Sequence, residues 1–343
     1  MPAVTSSAPS ALGLVGLGAA GVCVALALRR HLGAATPGTL DDDAWIAYAH
    51  EVRLKRKRAP AQSRFRVTAV VVYTCGSRKL RHVVGHNDEA FNLLNSCCAE
   101  RAAFLHLASL DEASAASPIE VLAVYITTDA PHAITPGALC REYMSSSPWT
   151  STSATRIVME GTKMRASRIE RTLGQLYPHA SVYTRLDRDG QRGAGERLGA
   201  SLRRAREERG GTEGAAWRGA VAAAAGDARA DLHPVAYGAC VVYADGSTSN
   251  AWQKKALEYG CSLDAVCQLC QAIEERREGA VEPAMLCMAD QYGVCHAPFA
   301  PARAYLAERG LGALPVLLHD DDTGELRTVP ADELLPGLPS WCE

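Results

Sequence analysis

The chain carries almost no net charge: 36 Lys and Arg stand against 38 Asp and Glu, giving a formal charge of -2. A balance this close to zero offers no basic field of the size a nucleic-acid backbone needs, and aromatic residues make up only 6% of the chain, so no aromatic and basic groove is evident. Acidic residues are missing before Asp41, and no Lys or Arg precedes Ala11. What fills that gap is Ala11 to Leu28, an uncharged run rich in Gly and Ala, followed at once by Arg29, Arg30 and His31. Its length lies at the lower edge of a bilayer span and exceeds a usual signal-peptide core. With the positive flank on its C-terminal side, the positive-inside rule places the folded part in the cytosol behind a membrane anchor in residues 1–40. A cleaved organellar targeting segment, mitochondrial or plastid, is the main rival reading, and a merely buried helix the second. A secreted disulfide framework is not what the 12 cysteines suggest, because Cys240, Cys267, Cys270 and Cys287 sit inside apolar patterns that suit reduced thiols.

Apolar and charged fractions of 48% and 22% are those of ordinary folded proteins, and 343 residues usually make two domains. From Asp41 to Arg58 an acidic start, apolar Ala44, Ile46, Ala47, Ala49 and Val52, and the basic run Lys55 to Arg58 describe one amphipathic helix whose charge order suits its dipole, with the basic run as a solvated end. The β-branched run Val67 to Tyr73, closed by Cys75 and Gly76, predicts a buried strand; Lys79 to Val84 pairs back on it, and Val121 to Thr127 and Thr155 to Glu160 are further strands. Ile169 to Pro178 is expected to be a closing helix, which ends a first unit over residues 41–180. Residues 181–230 are dominated by Gly, Arg, Glu and Ala, a composition that buries little apolar area, and predict a linker with a partial, solvated helix.

Chemistry concentrates where a polar loop turns into the helical pattern Ala102, Ala103, Leu105, Leu107. Cys98 and Glu100 fall at that helix N-terminus, where unpaired backbone N–H groups and the positive end of the dipole favour a thiolate, the form that binds metal. Cys98 is the candidate ligand and Glu100 the candidate proton shuttle; the plain alternative is a buried Cys followed by a helix-start Glu.

The run Gly85-His86-Asn87-Asp88-Glu89-Ala90, then Cys98-Ala99-Glu100-Arg101 eleven residues after Asn87, resembles the signature of the cytidine deaminase family, and Ser63-Arg64-Phe65-Arg66-Val67 resembles that family's strand entry. The resemblance implies a three-layer α/β/α fold, with Asn87 and Glu89 on the ribose hydroxyls of a nucleoside and Phe65 against its base. It implies Cys98 as a zinc ligand, Glu100 as general acid and base, and Arg101 in support. It also implies a second ligand loop, and Pro136, Cys140 and Arg141 stand in its register, but Gly137 occupies the place of one ligand cysteine. A catalytic zinc site keeps three protein ligands. His132, Asp129 and Cys97 are the candidate stand-ins; His132 suits zinc best and lies on the same loop, its plain reading being an exposed loop histidine, while Cys97 is expected to point into the core.

The pattern then repeats over residues 231–343. Tyr237 to Gly246 resembles the first strand and turn, and Gln253, Lys255, Asp264 and Val266 fall on Asn87, Glu89, Cys98 and Glu100. Phe299 and Ala302 fall on the ligand positions of the second loop, so this copy has the frame without a site, and a helix-start Asp264 is explained by capping. The expectation is a tandem deaminase-like chain with one zinc ion in the N-terminal copy and none in the C-terminal copy. It would hydrolytically deaminate cytidine or deoxycytidine in pyrimidine salvage, pair as a homodimer, and bind no nucleic acid. The alternative is a catalytically inactive nucleoside-binding or scaffold protein, a pseudoenzyme by virtue of Gly137.

Overall fold

The computed structural model describes residues 40–337 apart from 57, 91, 93–94, 111–117, 209 and 320–324. Asp41 caps the first helix, α1 (Asp42–Lys55), accepting a hydrogen bond from Ala44 N at 3.1 Å, with Asp42 and Asp43 in its first turn and Arg53 and Lys55 in its last. The chain continues through β1 (Val67–Cys75), β2 (Arg81–His86), α2 (Ala99–Ala108), β3 (Ile119–Thr128), α3 (Ala138–Ser146), β4 (Arg156–Glu160), β5 (Ile169–Thr172) and the one-turn helix α4 (Leu173–Leu176). The five strands form one sheet in the order β2-β1-β3-β4-β5, mixed because β3 and β4 run parallel across the α3 crossover while the other pairs are antiparallel.

Alternate side chains of β1 point to opposite faces, and the two faces have different covers. Val70 and Val72 pack with Ala123, Tyr125 and Val158 beneath Trp45, Ile46 and Ala49 of α1. Ala69, Val71 and Tyr73 pack with Val124 and Ile126 beneath Ala103, Phe104 and Leu107 of α2 and Met144 of α3. This gives the helix, sheet, helix layering that was expected.

Two expectations need correction. Residues 169–178 are not one helix: Ile169–Thr172 pairs along the sheet edge with β4, and only then does Thr172 start α4 through a reciprocal capping box with Gln175. Nor is 181–230 a linker with one partial, solvated helix, because it holds α5 (Arg188–Glu208) and the buried α6 (Gly211–Ala224). Ala216, Ala220 and Ala224 are buried on one side of α6, and Trp217 among them donates its indole N–H to Gly293 O at 2.9 Å. Small residues bring α6 so close that a Cβ on Gly238 would stand 2.2 Å from Ala220 O. Composition hid this helix because close approach, rather than large side chains, supplies its burial. It covers the second sheet as α1 covers the first.

That second sheet comes from β6 (Tyr237–Tyr243), β7 (Thr248–Trp252), β8 (Pro283–Asp290), β9 (Cys295–His296), β10 (Pro315–His319) and β11 (Leu326–Pro330), with α7 (Cys270–Glu278) and α8 (Ala300–Glu308) between them. Its order, β11-β10-β8-β6-β7, repeats the first, with β9 added against β8. The duplication extends to details: the register slips between Val72 and Tyr73 and again between Val242 and Tyr243, and the isolated bridge Asp88 to Cys97 has its counterpart in Lys254 to Leu263.

The copies meet through α3 and α8, and two buried arginines tie them reciprocally. Arg141 donates to Pro136 O (2.7 Å) and Leu176 O (2.8 Å) in its own copy and to Pro336 O (2.6 Å) and Gly337 O (2.7 Å) in the other. Arg303 donates to Pro298 O (2.6 Å) and Leu334 O (2.8 Å), and across to Pro178 O (2.7 Å) and His179 O (2.7 Å). Among the described residues no helix is long and apolar enough to cross a membrane. The run Ala11 to Leu28 lies outside them.

A buried polar cluster at the end of α1 makes stability depend on pH. His50 Nδ1 accepts from Arg53 at 3.2 Å, which leaves the ring proton on Nε2, facing Glu160 at 3.0 Å. Burial pushes the imidazole below its ordinary value, only partly offset by Glu160. Burial raises the Asp129 carboxyl, but hydrogen bonds from Arg66 and the charge of Arg53 outweigh it and hold the group below the ordinary carboxylate range. A histidine kept neutral in the fold contributes stability above its unfolded value near 6.5, and this is eroded as pH falls below that value. The Asp129 contribution, present above the unfolded carboxylate value of about 4, is lost only lower, as pH falls through the depressed folded value. The thermal midpoint is therefore expected to fall in two stages on acidification, and a midpoint flat between pH 7 and 5 would refute the His50 assignment.

Candidate metal centre

The geometry of the centre is set by two helix N-termini. Cys98 is the N-cap of α2 with extended backbone (φ -74°, ψ 156°), and Gly137 is the N-cap of α3 in a similar conformation (φ -61°, ψ 157°). Neither cap residue satisfies the helix with a side-chain hydrogen bond. Both ends therefore present unpaired N–H groups and positive dipole to one point. There the ligand atoms of Cys98, Glu100 and Cys140 all lie within 4.8 Å of one another, with Glu100 and Cys140 buried and Cys98 half-buried. This group could hold a metal ion, and it is the one such cluster of three or more among the described residues.

The electrostatics separate the two sulfurs. The Cys140 thiol donates to Cys98 and lowers its pKa against the opposing effect of burial, assisted by Arg101; the same contact, with burial, raises Cys140. Cys98 is thus the readier thiolate. Burial pushes the Glu100 carboxyl up, toward a group that can carry a proton. Arg101 donates to Ser96 O at 2.8 Å, while its buried Nε has no partner among the described residues.

None of the three proposed stand-ins joins the cluster. His132 is exposed and accepts from Lys163 Nζ at 3.2 Å. Asp129 is occupied by Arg53 and by Arg66, whose Nε lies 2.9 Å away. Cys97 sits in the bridge to Asp88 with its sulfur 3.7 Å from Cys98 O. Loop and helix directions, which a sequence does not carry, decide this. At position 137 a Cβ would meet nothing within 4 Å, so the place of the absent thiol is open space on unstrained backbone.

The expected nucleoside-binding residues lie at the sheet end beside the centre. Asn87 is buried and committed to backbone: its Oδ1 accepts from Val67 N (2.8 Å) and Arg56 Nη1 (3.0 Å), and its Nδ2 donates to Phe65 O (2.8 Å). It thereby holds the Phe65 strand entry in place. Arg56, read from sequence as part of a solvated helix end, is tied into this network; its spacing from the apolar face carried no signal of it. Glu89 is half-buried and accepts from Ser63 N (2.7 Å) and Ser63 Oγ (2.5 Å). Phe65 is half-buried. Arg141, second in support, acts at the interface of the copies.

Gly85 fixes how closely α2 approaches this end of the sheet, since a Cβ there would lie 2.2 Å from both Ala103 N and Ala99 O. These are backbone atoms that cannot step aside. Gly85→Ala is expected to cost about 3 kcal/mol of stability and to displace Cys98 from Cys140. A variant with unchanged denaturant midpoint would show that α2 yields without loss.

In the C-terminal copy the corresponding positions hold no donor set. Asp264 accepts from Cys267 N at 2.8 Å, as a capping residue does, and Val266 and Ala302 are buried apolar side chains.

The fold and this cluster define a duplicated α/β chain with one buried Cys, Glu, Cys group able to take a metal. Solved structures similar to it are cytidine deaminases, the family whose motifs its sequence resembles. The enzyme from Burkholderia pseudomallei is 23% identical, with a TM-score of 0.34 over 41% of this chain and 100% of that one. That from Mycobacterium tuberculosis is 24% identical, with a TM-score of 0.30 over 38% and 98%. The Mycobacterium leprae enzyme is 21% identical, with a TM-score of 0.30 over 37% and 99%. No family model and no curated protein matches the chain.

Proposed function

We propose that the N-terminal copy is a zinc-dependent hydrolase that converts cytidine or deoxycytidine to uridine or deoxyuridine. The observation that carries this reading is the convergence of Cys98, Cys140 and Glu100 within 4.8 Å at two helix N-termini. The two thiols suit zinc, and the backbone at Gly137 leaves open space beside Cys140. Cys98 and Cys140 would hold the ion. Bound there, zinc would supply a water acidified to a pKa of about 7. Glu100 does the proton work: its raised affinity for a proton lets it accept one from the attacking water and pass it to ring N3, then take the remaining proton from the C4 hydroxyl and give it to the departing amine, so that water and the C4 amine become a carbonyl and ammonia. Glu89 would grip a ribose hydroxyl while Phe65 packs on the base, and Asn87 holds the loop that carries Phe65.

One observation favours a second reading, a nucleoside-binding pseudoenzyme. His132, Asp129 and Cys97 all have other partners, so among the described residues the third ligand group at the centre is Glu100 itself, and a carboxylate on the metal is no longer free to shuttle protons. Zinc per chain and cytidine-dependent ammonia release distinguish the two. One zinc with turnover supports the hydrolase; nucleoside binding with neither supports the pseudoenzyme. The same reading has the chain pairing as a homodimer tethered to a membrane through Ala11 to Leu28, which light scattering and membrane partition with and without residues 1–40 test.

A further inference from the structure

The C-terminal copy has lost its donors and kept its cavity. A space of about 470 Å³ lies between the copies, lined by Gln253 and Lys255 where Asn87 and Glu89 stand in the first copy, and by Phe299 in the place of Gly137. It therefore occupies the second copy's counterpart of the nucleoside end, closed on its other side by Tyr177, Tyr183 and Glu142 of the preceding chain. Its chemistry has changed sign. The first copy presents the acid Glu89 on Ser63; here Lys255 donates to His233 O at 2.8 Å and pairs with Asp227 at 2.7 Å.

Asp227 balances Lys255; of the other lining residues Arg185 and Arg303 are cationic and Glu142 is acidic, with Asp264 near enough to act on Glu142. Arg185 is held at the cavity in a left-handed conformation, φ 69°, which a non-glycine residue adopts only at an energetic cost. From there its Nε donates to Ser145 O and its Nη2 to Thr150 Oγ1, each at 3.0 Å, and Nη1 has no partner among the described residues. A fixed guanidinium with a spare donor suits a phosphate. The remaining walls carry aromatic rings against which a flat base can pack: Tyr237 and Phe299 meet edge to face at 5.1 Å, while one face of Tyr177 is already covered by Arg303 at 3.9 Å. Glu142 has Oε1 engaged by Tyr177 O–H (2.7 Å) and Ala300 N–H (3.0 Å), which leaves Oε2 to accept from an amine on such a ring.

We propose that this cavity is a second, non-catalytic site that binds a nucleoside monophosphate, with Arg185 on the phosphate and the aromatic walls on the base. It is independent of the N-terminal centre and stands whether or not that centre turns over. The test is calorimetric titration of the full chain with cytidine 5′-monophosphate, adenosine 5′-monophosphate, cytidine and inorganic phosphate. One of the two monophosphates is expected to bind saturably at a site where cytidine and inorganic phosphate each bind at least tenfold more weakly. Arg185→Gln should weaken that binding at least tenfold in a chain that still unfolds in one cooperative transition, Ser146→Trp should abolish it by filling the cavity, and Glu89→Gln should leave it intact. Absence of saturable monophosphate binding, equal affinity for inorganic phosphate, or loss of binding in Glu89→Gln but not in Arg185→Gln would each overturn the proposal.

Discussion

Gly137→Cys is expected to raise zinc affinity by roughly two orders of magnitude, close to 2.8 kcal/mol of added binding free energy, and ammonia release along with it. The space is there: a Cβ at 137 meets nothing within 4 Å, and φ of -61° is ordinary for any residue. The new sulfur would stand at the N-cap of α3, with Cys140 three residues on in the same first turn, so it joins the face that already carries one thiol. It would also release Glu100 from any role as ligand and return it to proton transfer. Paired with Glu100→Gln, the variant separates metal from catalysis: zinc should stay bound while turnover falls by roughly 10²- to 10⁴-fold. If Gly137→Cys changes neither zinc content nor activity, the converging helix ends are only a packing feature, and the metal reading fails.

Arg141→Met should destabilise the chain by about 3 to 5 kcal/mol, because it removes a buried cation and leaves the backbone carbonyls that it bonds without a donor. The guanidinium is entirely buried, and burial pushes its pKa down to about 10, so it remains cationic at neutral pH. Its donors serve the carbonyls of Pro136, Leu176, Pro336 and Gly337, two in each copy, and a methionine would leave all four facing an apolar chain. Arg303→Met should cost a similar amount, since it makes the reciprocal set of bonds. Lysine cannot replace either, having three donors on one atom where the fork reaches carbonyls on different segments. Urea unfolding measures both, and a loss under about 1 kcal/mol for Arg141→Met would show that the copies are held by apolar packing of α3 on α8 alone.

The strands β1 and β3 could be anticipated from β-branched runs, because a buried strand must be apolar along its length whichever partner it finds. The linker could not. Gly, Ala and Arg over residues 188–224 look solvated by composition, yet Trp217 and a face of alanines are buried against β6 because Gly238 lets the helix in. The expected closing helix starts as a strand for a related reason: Ile169 and Thr172 suit both a helix face and an edge strand, and only β4 alongside decides between them.

The candidate site divides in the same manner. A thiol two residues ahead of a carboxylate, and a second thiol in a loop with a glycine where another is expected, are local patterns that the chain carries by itself, as is the loss of donors from the second copy. Which residues face one another is a matter of direction. Tertiary structure alone aims Cys98, Glu100 and Cys140 at one point, turns His132 to Lys163 and Asp129 to two arginines, and spends Asn87 on backbone. It also leaves a cavity between the copies whose charge no single segment foretells, since its walls come from stretches more than a hundred residues apart and their charges add only once the two sheets are packed together.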